Sequence, residues 1–316
     1  MKKNLSSNTN ITAGHYSTDV SRYVNTDGYS CKESGDADYP YVVTANVSPA
    51  LYGKALTLDG EIGVTYYFDM TGVEDPEEYE LIAFIGGTSV ETVFAEPRTI
   101  DNVEYYRYTV YVSPTELDSS ITAYLTYGTT TVTTPDYSVY TYCEKAIKNE
   151  DGTWNAEKPL CEALLNYGYY LETWLGETST INILSLDETW TDPLSETWGV
   201  NLSDYNKTAN GVTGKTLALD GTGIFIRLNI DNPTSYYVEG IDDVVYGEGY
   251  LEFKVPAKEM SEIFTICNSD GTTYTTYSIY SYIKNYVDSE DTNLANLCKA
   301  IYYYSEESIA YGTNWQ

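Results

Sequence analysis

Three tryptophans sit in one repeated tripeptide, Glu172-Thr173-Trp174, Glu188-Thr189-Trp190 and Glu196-Thr197-Trp198. An indole face flanked by carboxylate and hydroxyl groups can stack on a sugar ring while its neighbours hydrogen-bond the ring edge. Trp190 and Trp198 are therefore the candidate carbohydrate-binding residues. The same rings could instead staple the segment that carries them to its neighbours, because buried aromatic area fixes the orientation of adjoining bodies. Acid chemistry is a second possibility: two of the 47 Asp and Glu residues could serve as a glycoside-hydrolysis pair. No spacing singles such a pair out, so no catalytic residue is assigned. The oxygen-rich stretches Asn149–Asn155 and Asp288–Asn293 raise the question of calcium. Neither ends in the bidentate Glu of a twelve-residue calcium loop, so both read as polar turns with helix-capping side chains.

Other chemistries lack their residues. His15 is the sole histidine, which rules out a two-histidine zinc helix; a Ser-His-Asp triad would have to recruit it from a polar N-terminal stretch, and Gly-x-Ser-x-Gly is absent. Ala209–Thr216 falls one glycine short of a phosphate-binding loop, and the Leu217-Ala218-Leu219-Asp220-Gly221 after it reads as strand and turn, not the helix that such a loop needs. Cys31, Cys143, Cys161, Cys267 and Cys298 make an odd set without a Cys-x-x-Cys pair. They read as buried free thiols, a Cys143–Cys161 bridge being the alternative. No metal or cofactor is implied. With 17 Lys and Arg the net charge is −30, which repels nucleic acid. No run of apolar residues is long enough to cross a bilayer as a helix, and Met1-Lys2-Lys3 lacks the apolar core of a signal peptide behind it.

The elements that must hold these residues come in two sets. Gly53–Gly60 (GKALTLDG) returns as Gly214–Gly221 (GKTLALDG), Val112–Thr122 as Val255–Thr265, Tyr137–Tyr140 as Tyr277–Tyr280, and Leu160–Leu164 as Leu297–Ile301. Four landmarks recurring in one order indicate duplication. Within each set Ile62, Val64, Tyr66, Phe68 and Met70, or Ile224, Ile226, Leu228 and Ile230, alternate with the period of a half-buried strand. The period then changes: Leu160, Ala163, Leu164, Tyr167, Leu171 and Trp174 recur at helical steps behind Pro159, answered by Leu294, Leu297, Cys298, Ile301 and Tyr304. The expected fold is α+β, two tandem repeats that each join an antiparallel, sandwich-like β body to a C-terminal helical hairpin. The segments are 1–47, a polar arm with one possible edge strand; 48–176, the first repeat; 177–205, the Trp-containing connector; and 206–316, the second repeat.

The motifs Leu56–Met70 (LTLDGEIGVTYYFDM), Val255–Met260 (VPAKEM), Tyr137–Tyr142 (YSVYTY) and Leu160–Tyr170 (LCEALLNYGYY) resemble a repeat of large secreted or surface proteins of gram-positive anaerobes. There the pattern tends to read LSLxGxIGVNFY, AKEM, YSVRDY and KAMLNYGAAAQ. The second copy departs from it at Tyr302-Tyr303-Tyr304-Ser305. The resemblance implies an extracellular or cell-surface setting among other modules and carries no catalytic residues. The expected role is a non-catalytic module for adhesion, display or spacing, with a protein or polysaccharide as partner. A carbohydrate-binding module beside an enzyme is one alternative, and an unexported assembly protein such as a virion decoration or fibre subunit is another. The 35 tyrosines suit half-exposed sheet faces, and equally a surface that grips protein partners.

Overall fold

The computed structural model describes residues 11–24, 29–45, 47–58, 60–205, 214–219 and 221–312. The chain opens on β1 (Gly14–Tyr16), β2 (Tyr29–Glu33) and β3 (Tyr41–Ala45), an antiparallel sheet of order β1-β3-β2 over a small core of Ile11, Val20 and Val43. This corrects the reading of 1–47 as an arm with at most one strand. Three isolated apolar residues shield one face of the sheet, too sparse a pattern to register as alternation. His15 lies exposed on β1, opposite Val42.

The next eight strands are β4 (Ala50–Thr57), β5 (Gly63–Asp69), β6 (Glu80–Ile85), β7 (Thr88–Val90), β8 (Thr92–Ile100), β9 (Val103–Tyr111), β10 (Ile121–Tyr127) and β11 (Thr130–Thr133). They make two antiparallel sheets, β4-β5-β9-β8 and β11-β10-β6-β7. Central β5 buries Val64, Tyr66 and Phe68 on one face. On the other face a chain of hydroxyls joins Thr57, Thr65 and Thr109 at 2.5 and 2.7 Å, which satisfies polar groups that burial would otherwise strand. Helices α1 (Val139–Ala146) and α2 (Lys158–Leu175) follow. Ser138 caps α1 by accepting from the Thr141 amide, and Gly176 ends α2 at φ 82°, a left-handed conformation that glycine adopts without steric cost.

Beyond the connector come β12 (Gly214–Ala218), β13 (Phe225–Asn229), β14 (Tyr236–Val238), β15 (Val244–Gly247), β16 (Tyr250–Lys254), β17 (Phe264–Asn268) and β18 (Thr273–Tyr277), in sheets β12-β13-β16-β15 and β14-β17-β18. Helices α3 (Ile279–Tyr286) and α4 (Thr292–Gly312) close the chain, with Ser278 capping α3 as Ser138 caps α1. The α+β class with antiparallel sheets thus holds. The connector of two separate bodies does not: the buried side chains from Leu56 to Tyr304 form one continuous core, and α2 packs along α4. The reason lies in α2, which buries Leu165 besides its expected stripe and stacks Tyr167 on Tyr304 of α4.

Candidate functional site

A cleft of about 440 Å³ opens where α2, α4 and the connector meet. The connector that forms one wall is firmly seated. Ile181, Ile183 and Leu202 are buried, Tyr140 Oη donates to the Asn182 carbonyl at 2.9 Å, and Tyr170 Oη donates to Asp192 Oδ2 at 2.5 Å. Asp192 in turn accepts from the Leu194 amide at 2.9 Å and fixes the turn at Pro193–Ser195. Trp190, flanked by Thr189 and Thr191, lines this wall half-buried. Helix α4 contributes Tyr303 and Glu307 to the lining.

The two predicted platforms part company here. Trp190 faces the cleft, whereas Trp198 packs edge-on against Tyr302 and Tyr303, with ring centres 5.2 and 6.1 Å away. Trp198 therefore staples the connector to α4, and through Tyr303 it buttresses the cleft. The third tryptophan of the set, Trp174, continues the expected buried stripe of α2 but is exposed, because the last turn of the helix, with Leu175, runs past the core.

The floor comes from α2, where Lys158, Glu162 and Asn166 fall on one face at four-residue steps. Lys158 Nζ lies 2.6 Å from Asp187 Oδ2 and 3.1 Å from Glu162 Oε1, so one ammonium serves two carboxyl groups. Burial acts to raise the pKa of Asp187, but Lys158 and the Thr189 hydroxyl and amide, at 2.6 and 2.9 Å, outweigh it and hold this carboxylate well below its ordinary range. Glu162 goes the other way. Burial, with the neighbouring Asp187 charge, outweighs Lys158 and lifts it from 4.5 to about 7. Burial, and then Glu306, also raise Glu307. Asn166 is only 2% exposed, and its Nδ2 has no hydrogen-bond partner.

This arrangement makes the protein a proton binder with a defined sign. Glu162 holds its proton more tightly folded than unfolded, so its contribution to stability is complete below about 4.5 and is lost as pH rises through about 7. Urea unfolding of wild type and Glu162→Gln across this range should show the variant gaining on wild type from pH 4.5 to 7, then a constant difference. A difference independent of pH would contradict the raised Glu162.

Elsewhere the oxygen-rich stretches act as turns and caps. Asp151 Oδ1 accepts from the Thr153 amide and hydroxyl, and Asp291 Oδ1 accepts from the Asn293 and Leu294 amides at the start of α4. Among the described residues no three His, Cys, Asp or Glu side chains are grouped to hold a metal. Ala209–Thr213 of the near phosphate loop lie outside the described residues, and Gly214 begins a strand. The five cysteines are free, but Cys31, on β2 of the N-terminal sheet with its small core, is only half-buried; of the four buried ones, Cys298 has its thiol pushed up to about 12 by burial, an inert small hydrophobe. Glu162, Asn166, Tyr303 and Glu307 were not singled out by sequence reasoning. The polar Glu162 and Asn166 inside the apolar run Leu160–Tyr167, one turn apart, were the available signal. No family model, curated protein or solved structure matches this chain.

Proposed function

We propose that this chain is a non-catalytic extracellular or cell-surface binding module, built by tandem duplication, that takes a polysaccharide in the cleft beside Trp190. The duplication is supported by how counterparts meet. Glu61 forms an antiparallel bridge with Gly223, a pair with the same spacing as Ile62 and Ile224. The Tyr167 ring stacks on Tyr304 at 5.5 Å and 9°, a pair with the same spacing as Leu160 and Leu297. Ile62 accepts from the Val112 amide as Ile224 accepts from that of Val255. Contacts between counterparts are what a two-fold relation between halves would produce, as in an isologous dimer joined into one chain. The extracellular setting follows from the resemblance of its motifs to surface-protein repeats.

The observation that carries the binding role is Trp190 in a preformed cleft with hydrogen-bonding groups on its other walls. An aromatic wall with a few convergent polar groups suits a ring with an apolar face and hydroxylated edge. Affinity electrophoresis of the whole chain through gels containing soluble polysaccharides tests this. At least one polysaccharide should retard wild type, and Trp190→Ala should weaken that binding at least tenfold, about 1.4 kcal/mol. Trp198→Ala should weaken it less, acting through Tyr303. Retardation by none of a broad panel, or binding unmoved by Trp190→Ala, overturns the reading.

A further inference from the structure

Asn166 is the feature of the cleft that no structural need explains. It follows Lys158 and Glu162 at four-residue steps along α2 and has buried Leu165 and Tyr167 on either side in sequence, it is 2% exposed, and its side-chain Nδ2 has no acceptor. A buried donor without a partner is destabilising, and a leucine there would avoid that cost. Asn166 lines the cleft with its Nδ2 buried, one helical turn from Glu162, and Trp190 and Pro193 supply apolar surface to the same cleft. Donor, acceptor and apolar wall thus converge on one small volume.

We infer that the cleft selects a sugar bearing an N-acetyl group, whose carbonyl oxygen accepts from Asn166 Nδ2. The inference rests on the polysaccharide reading above and deepens it. A planar acetamido group presents a carbonyl acceptor, an N–H donor and a methyl group together. Asn166, the Glu162 carboxyl group and the Trp190 wall are their complements. A sugar with only hydroxyls in that place lacks the methyl and the strong carbonyl acceptor. Uronates are disfavoured because Glu162 and Glu307 line the cleft with Lys158 as its one cation among the described residues, in a chain of net charge −30.

Saturation-transfer NMR and calorimetry on the whole chain test this with matched probes: N-acetylglucosamine tetramer against cellotetraose, and N-acetylgalactosamine against galactose, with glucosamine tetramer as the charged control. In at least one matched pair the acetylated member should bind tenfold or more tighter, with saturation strongest on its acetyl methyl. Asn166→Leu should erase that preference while leaving the melting temperature equal or higher, so loss of binding is separated from loss of fold. Equal binding within both pairs, a preference for glucosamine tetramer, or a preference that survives Asn166→Leu overturns the inference. If no probe binds while another polysaccharide still retards the chain through Trp190, the acetamido inference falls and the polysaccharide reading stands. If nothing binds in either experiment, both fall.

Discussion

Tyr167→Ala and Tyr304→Ala are each expected to destabilise the chain by about 3–5 kcal/mol, lowering the melting temperature by roughly 5–8 °C for a protein of this size. Both rings are buried and lie face to face at 5.5 Å on the line where α2 meets α4, so truncating either leaves a cavity that neighbours on two sides cannot fill. Their hydroxyls make a sharper test. Burial holds both phenols neutral, well above their ordinary range, and Tyr167 Oη has no hydrogen-bond partner. Tyr167→Phe therefore removes a stranded polar group and keeps the stacked area, and should be neutral or stabilising by up to about 1 kcal/mol. Because one core spans both halves, each variant should still unfold in a single transition, read by chemical denaturation followed at two probes. Losses below 1 kcal/mol in the alanine variants, or separate transitions for the two halves, would contradict the shared core.

The helices and central strands were legible because their burial is periodic. The Leu160-to-Leu171 stripe falls within α2, and Val64, Tyr66 and Phe68 are buried on β5 in the register their alternation implies. Two things escaped for different reasons. The α2–α4 seam was hidden because a helix that buries two faces shows its amphipathic stripe plus a few extra apolar residues, here Leu165, and a single sequence does not say what covers the extra face. The cleft was hidden because its walls come from separate segments, and only the fold brings Glu162 beside Asp187 or Tyr303 into one cleft with Trp190. Trp190 itself was legible, but the tripeptide around Trp198 is identical. What separates the two is contact with Tyr302 and Tyr303, which composition does not encode. The departure of the second copy at Tyr304-Ser305 also finds its reason in packing. Ser305 Oγ donates to the Ala257 carbonyl at 2.9 Å, at the place where Gly168 lets the first copy approach the Pro114 carbonyl closely.

Gly223→Ala should cost about 3 kcal/mol, the upper end of ordinary overpacking, although it adds a single methyl group. A Cβ at Gly223 would stand 2.3 Å from the Gly60 carbonyl oxygen, and a backbone atom offers no rotamer into which it can retreat. The strain falls on the join between halves. Glu61 bridges Gly223 there, the Ile62 amide donates to the Thr222 carbonyl at 2.8 Å, and Glu61 takes the Thr222 hydroxyl at 2.5 Å and the Lys254 ammonium at 2.8 Å. Moving either strand to admit the methyl breaks these together, whereas Gly221→Ala, whose Cβ would meet only the Phe225 ring edge at 3.4 Å, should cost much less. Denaturant unfolding of the two variants side by side checks the difference. Equal stabilities would mean that the seam yields freely, and the close contact of counterparts that supports a fused two-fold origin would lose its structural role.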